Sequence, residues 1–226
     1  MKKQLLFNGE VKVGISEISD GNMRFFDGDE SEIIMNQKKI SDFIEIASKN
    51  VARVRTIYDN RKSFTEYFEI TSENLSEYSI ENSEMQIPVS DGLVTRLHDV
   101  GFLLPLADCL GIVVYDEESE ALGLLHAGRQ NIEEFGPRKF VEFFSEKFGS
   151  KAEKLKIYFS PHAVNYSVYK FDGKLLSNVA KEQLIEAGVL LENILDSEID
   201  TVNDEHFPSH SSGDKEFRFA IVSGRV

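Results

Sequence analysis

The sequence predicts a mixed α+β fold, a single layered domain that takes in all of residues 1–226. Three observations carry this. Apolar runs of strand length recur, above all at residues 100–106, 110–115 and 121–125, and such runs bounded by turn residues read as strands buried on both faces. Apolar side chains spaced three and four apart mark helices at 33–47, 137–148 and 177–187. The strands come in runs punctuated by helices, without the strict alternation of a doubly wound parallel sheet. At 226 residues, 41% hydrophobic and 28% charged, the chain is long and apolar enough for one large core, and no repeat or break in composition divides it.

Taken in order, residues 4–18 alternate weakly, as a surface or edge strand does, and Ser19-Asp20-Gly21-Asn22 is a turn by composition. The helix at 33–47 gathers Ile33, Ile34, Ile40, Phe43, Ile44 and Ala47 on its apolar side. Residues 51–58 alternate as a strand, 64–70 form an element of undetermined type, and the polar, acidic stretch 71–85 reads as a surface insertion. Of the three apolar strands that follow, the first ends at Ala107-Asp108-Cys109 and the last at His126-Ala127-Gly128, with a charged turn at 116–120 before the last. Pro137 stands near the start of the next helix, where its missing N–H is no loss. Residues 154–159 form a strand leading into Ser160-Pro161-His162-Ala163. Gly188 caps the helix at 177–187, 190–195 is short and apolar, 206–213 is a polar loop with two histidines, and 217–222 is a closing strand.

Charge narrows the partners. Twenty-five Lys and Arg against 39 Asp and Glu give a net charge of −14, a field that repels nucleic-acid phosphates and anionic lipid. No apolar run approaches the length of a membrane span, and the apolar segment near the start is too short for a signal-peptide core. A single cysteine rules out an intrachain disulfide and a Cys-rich metal module, so a reducing, cytoplasmic setting is expected. Arg53, Arg55, Arg61 and Lys62 form either a solvated face or a local anion pocket.

The chemistry-bearing candidates are few. Cys109 ends one strand, and His126 lies 17 positions later at the end of another. If those strands are neighbours, thiol and imidazole come within reach. The pair then suits either nucleophilic attack with His126 as base and Asp108 as orienter, or binding of a borderline metal such as zinc. A buried, inert cysteine is the plainer alternative. His162 follows a strand exit, Pro208 between His206 and His210 opposes a helix there, and His98 sits in a turn. The common nucleotide-binding and protease signatures are absent.

Asp91-Gly92-Leu93-Val94-Thr95, Ala107-Asp108-Cys109 and His126-Ala127-Gly128 together resemble the core of the multicopper polyphenol oxidoreductase, or laccase-domain, family. Gly14-Ile15-Ser16, Asn36, Thr201, Phe207, Ser209 and Arg218 echo it elsewhere. The resemblance implies an α/β/β/α sandwich, shared in outline with cysteine-dependent deamidating toxins. It also implies purine nucleoside phosphorylase and adenosine deaminase activity on a small-molecule nucleoside, inorganic phosphate as co-substrate, and a zinc ion held by one cysteine and two histidines. Cys109 and His126 match two of those ligands. Asp108 then orients His126 or takes a proton, and Arg129 or Arg218 meets phosphate. The chain departs from the pattern where the family has Gln-Val-His-Gly: residues 54–61 hold no histidine. It departs again at Arg129-Gln130-Asn131, at Phe159-Ser160-Pro161-His162 and at Asp200. A rebuilt zinc site takes its third ligand from His162, His206 or His210, with His162 the leading candidate. The alternatives are a metal-free cysteine hydrolase using Cys109 and His126, and an inactive homologue with a binding role. Monomer and homodimer are equally compatible with the sequence.

Overall fold

A computed structural model describes residues 1–24, 30–59 and 61–226. Two sheets form its interior. The stretch expected as one N-terminal strand is a hairpin, β1 (Lys2–Leu6) and β2 (Val11–Ile15), because Phe7, Asn8 and Gly9 all take positive φ and reverse the chain. With β3 (Val51–Arg53), β6 (Gly101–Leu106) and β13 (Phe219–Arg225) they make a five-stranded sheet in the order β1-β2-β13-β6-β3. The second sheet has six strands, β12 (Ile194–Asp196), β9 (Lys156–Phe159), β7 (Leu110–Asp116), β8 (Ala121–Ala127), β5 (Gly92–Thr95) and β4 (Tyr67–Glu69), in that spatial order. A short hairpin, β10 (Ser167–Val168) and β11 (Lys174–Leu175), stands apart.

The apolar runs follow from burial on both faces. Val113 and Tyr115 of β7 pack into the core between the sheets with Phe102 and Leu104 of β6 and Ile221 of β13. Their neighbours Ile112 and Val114 face the other way, into a second core with helices α4 (Gly136–Phe148) and α5 (Leu176–Glu186). Leu103, Ala220 and Val222 pack outward against Ile40 and Ile44 of α1 (Glu30–Phe43). The result is the expected α/β/β/α sandwich. Gly123 makes the fit on one side possible: a Cβ there would meet the Phe140 ring at 3.1 Å.

Two further expectations need correction, and one helix was not expected. Strand β3 stops at Arg53 because its parallel pairing with β6 covers only Val51–Arg53, after which the chain leaves the sheet as a loop. The acidic stretch 71–85 is not a mere surface insertion. It contains α2 (Leu75–Tyr78), buries Tyr78, Ile80 and Glu84, and bonds back to β3 through Ile80 N to Val51 O at 3.0 Å. A further short helix, α3 (Arg129–Glu133), follows directly after His126-Ala127-Gly128, where the sequence shows no helical period. Among the described residues no helix is long and apolar enough to cross a membrane.

Candidate functional site

Register builds the site. Strands β7 and β8 pair antiparallel with Leu110 opposite Ala127 and Gly111 opposite His126, so Cys109, just before β7, lies next to Gly128, just after β8. A Cβ at residue 128 would stand 3.3 Å from both the Cys109 Sγ and the His126 Nε2, which puts those two atoms no more than twice that distance apart. The glycine leaves the space between them open. The expectation that neighbouring strands join Cys109 to His126 is met, with His126 inside β8 rather than beyond it.

Around this pair opens a cavity of about 390 Å³ at the strand ends. Pro105 and Ala107 from the end of β6 line it, with Thr56 and Tyr58 from the loop after β3. The Tyr58 hydroxyl lies 3.5 Å from His126 Nε2 and stands near enough to the Cys109 thiol to favour its ionised form. Arg55, between Thr56 and Val54, turns its guanidinium elsewhere, to the Ile87 carbonyl at 3.0 Å and to Glu84 at 3.6 Å. The loop is anchored by Arg61, whose guanidinium makes a bidentate ion pair with the buried Asp91, at 2.8 Å to Oδ1 and 2.5 Å to Oδ2.

Asp108 has a different task from orienting His126. Its backbone is left-handed, at φ 72°. Its carboxylate accepts the Thr201 hydroxyl at 2.9 Å and the Ser211 N–H at 2.7 Å, tying two C-terminal loops to the strand end. That brings His210, with Ser211, Lys215 and Arg218, to the cavity wall. Arg129 lines it too, as does Arg24. Arg24 donates to the Thr56 carbonyl at 2.8 Å, and Arg218 is docked beside it through its own N–H, which donates to Asn22 Oδ1 at 2.9 Å. Cations thus outnumber acids on the wall of a chain whose net charge is −14.

His162 lies outside the set that lines the cavity. It is buried, its Nδ1 is 2.8 Å from the Ser160 carbonyl, and its backbone pairs with the chain around Asp200, His162 N–H to Ile199 O at 3.1 Å and Thr201 N–H to His162 O at 3.0 Å. His206 pairs with Asp204 on the surface. Of the three histidines weighed as a third ligand, His210 is therefore the one at the site. Even so, no group of three or more His, Cys, Asp or Glu among the described residues is placed to hold a metal ion. Cys109 and His126 supply two zinc donors, and a catalytic zinc ordinarily has three from the protein; the residues present do not complete such a site.

Protonation states follow from burial. Loss of water pushes the Cys109 thiol up to about 11, against the pull of the nearby Tyr58 hydroxyl. A cysteine nucleophile requires the opposite shift. Burial likewise pushes His126 down to about 4, against the attraction of Asp91, so its imidazole is neutral at physiological pH. Of the residues singled out from the sequence, Asp108, Cys109, His126, Arg129, His210 and Arg218 line the cavity; Arg24, Tyr58, Tyr166 and Lys215, which line it too, lie on loops with no periodicity to mark them.

A layered α/β sandwich with a cation-lined cavity where its strands end is the class of protein these features define. The chain belongs to the multi-copper polyphenol oxidoreductase laccase family, whose model matches residues 10–181. Solved structures share its fold. The hypothetical protein YfiH of Bacillus licheniformis superposes with a TM-score of 0.81 at 16% identity, over 95% of this chain and 92% of that one. YlmD of Geobacillus stearothermophilus gives 0.78 at 17%, over 90% and 84%. The Neisseria meningitidis protein NMB0706, of the DUF152 family, gives 0.70 at 15%, over 96% and 94%. No curated protein matches the chain in sequence.

Proposed function

We propose that this protein is a purine nucleoside phosphorylase, acting on a nucleoside and inorganic phosphate bound together in the strand-end cavity. The observation that carries the reading is the charge of the wall: Arg24, Arg129, Lys215 and Arg218 line it, while the carboxylate of Asp108 is engaged by Thr201 and Ser211. Guanidinium groups meet phosphate oxygens in bidentate fashion, and a concentration of cations in a strongly acidic chain suits an anionic co-substrate. A cavity of about 390 Å³ is within the range of small-molecule sites.

In this reading a phosphate oxygen forms a bond to ribose C1′ as the bond from C1′ to the purine nitrogen breaks. The electron pair leaves with the purine, which takes up a proton released by the dihydrogen phosphate ion. The cations hold the attacking phosphate in line and stabilise its charge. Tyr58, protonated at neutral pH as an ordinary phenol is, and the neutral His126 offer hydrogen bonds to the uncharged purine. Cys109, its thiol pushed up, takes no nucleophilic part.

The test is chromatography of inosine and adenosine incubated with the protein, with and without phosphate. Free base and ribose 1-phosphate are expected only when phosphate is present, and Arg218→Ala is expected to raise the KM for phosphate by about tenfold or more. The same chromatograms report deamination of adenosine. Absence of phosphate-dependent base release across the purine nucleosides, or a KM indifferent to Arg218→Ala and Arg24→Ala, overturns the reading.

A further inference from the structure

We infer that this chain works its cavity without a resident zinc ion, with Tyr58 standing where a third protein ligand would have to stand. Three independent observations lead there. The first is occupancy of the open side of the Cys109–His126 pair. The Tyr58 hydroxyl is 3.5 Å from Nε2, the imidazole nitrogen that faces the space over Gly128, and Tyr58 and Cys109 line the same cavity. The placement is fixed rather than incidental. The Tyr58 ring meets the His126 ring edge-on, with centroids 6.3 Å apart at 74°, and packs on Phe64 at 6.4 Å. Phe64 in turn carries the Arg61 guanidinium at 4.9 Å, and Arg61 is clamped by Asp91.

The second observation is the donor count. Among the described residues no third His, Cys, Asp or Glu joins the pair in a metal-holding group. The segment that supplies Tyr58 sends its other long polar side chain, Arg55, to Glu84 and the Ile87 carbonyl. Zinc sites are closed by sulfur, nitrogen or carboxylate donors, and a protonated phenol is none of these. The third observation is charge. Arg24 and Arg218 line the same cavity as the pair, so a dication there meets repulsion where an anion meets attraction. The cavity is built to receive negative charge, and one thiol is a small counterweight.

This goes beyond the phosphorolysis reading and does not depend on it, since zinc occupancy is read without turnover. The experiment uses the full chain purified without chelator, metal analysis, and titration of zinc in competition with a chromophoric indicator. The wild type is expected to carry only traces of zinc and to lose the competition. Tyr58→His, which places an imidazole beside Cys109 and His126, is expected to carry about one zinc per chain and to bind it roughly 100-fold more tightly than the wild type. That gain is expected to vanish when Cys109→Ala is added. Tyr58→Phe keeps the ring, drops the hydroxyl and is expected to gain nothing. Zinc at one per chain in the wild type, lost on Cys109→Ala, overturns the inference. So does a Tyr58→His protein that is folded by circular dichroism yet no better at holding zinc, or a Tyr58→Phe protein that acquires it. Should Tyr58→His fail to fold, the wild-type and Tyr58→Phe measurements decide.

Discussion

Replacing Asp108 separates a structural carboxylate from a catalytic one. In the fold its two oxygens accept the Thr201 hydroxyl at 2.9 Å and the Ser211 N–H at 2.7 Å, and its backbone sits at φ 72°. Asp108→Ala removes both acceptors and leaves a buried hydroxyl and an N–H without them. Hydrogen bonds to a charged group contribute roughly 1.5–3 kcal/mol each. The left-handed backbone adds about 1–2 kcal/mol once Ala replaces a residue whose side chain bonds locally. The expected cost is about 4–8 kcal/mol, a large part of the stability of an ordinary domain. Asp108→Asn is milder. Asn tolerates the left-handed backbone, its oxygen can accept from Ser211, and its amide can donate to the Thr201 oxygen, so only charge assistance is lost, about 1–2 kcal/mol. The chain has no Trp, so urea unfolding is followed by circular dichroism. For a chain of this size the melting temperature falls by roughly 2–4 °C per kcal/mol. Equal costs for the two variants, or an Ala variant within 1 kcal/mol of wild type by the same scale, refute the reasoning. A fully stable Asp108→Asn protein without turnover would instead make Asp108 a participant in the reaction.

Other perturbations give equally direct outcomes. Gly128→Ala puts a Cβ 2.8 Å from the His126 ring and 3.3 Å from the Cys109 sulfur; calorimetric titration with phosphate and nucleoside should show binding weakened about tenfold, at a stability cost of roughly 1–3 kcal/mol for overpacking. Asp91→Ala takes the bidentate partner from the buried Arg61 guanidinium and leaves it only the half-exposed Glu66 at 3.1 Å, and should cost about 3 kcal/mol in urea unfolding, with loss of ligand binding as the loop carrying Tyr58 is released. His126 is held down near 4 in the fold and titrates near 6.5 when unfolded. The unfolded chain therefore takes the proton first as pH falls from about 6.5 to 4, and the fold loses about 3 kcal/mol on this account, with nothing lost above that window. In chelator-treated protein, a stability gap between wild type and His126→Gln that does not narrow between pH 7 and pH 4 would contradict the buried, neutral imidazole.

The strands of the sandwich interior were legible because their side chains are buried on both faces, and a run such as Leu110-Gly111-Ile112-Val113-Val114-Tyr115 has few other destinations. Helices α4 and α5 were legible from their spacing, and Gly188 does take a positive φ, at 101°. Helix α3 was hidden because five residues hold too little of a period. The N-terminal hairpin was hidden because its reversal depends on left-handed Phe7 and Asn8, not on a glycine pair. At the site, Cys109 and His126 were legible as a pair because one strand register joins them. His162 was misplaced because following a strand exit fixes a residue's height in the sheet but not which side its ring takes; the Ser160 carbonyl holds it. Tyr58 stood in the very segment read for a missing histidine. Nothing short of the tertiary fold could say that its hydroxyl reaches the imidazole.

The docking of Arg218 beside Asn22 has a consequence for the order of events on folding. The hairpin that carries Cys109 and His126 closes over a short turn, the kind of local contact that forms early. The anion wall needs Arg24 and Arg218, 194 positions apart in the chain and brought together by Met23 N to Arg218 O at 3.0 Å and by Asn22 bonding in both directions. A chain whose two ends have come apart therefore keeps its thiol, imidazole and Arg129 but loses Arg24 and Arg218 from the wall that would hold an anion. By mass action, an anion that fills the cavity binds the closed form alone and draws the ends together. Saturating ligand should then protect the amides of Met23 and Arg218 from hydrogen exchange more than those in the middle of β7, which open only with the whole molecule.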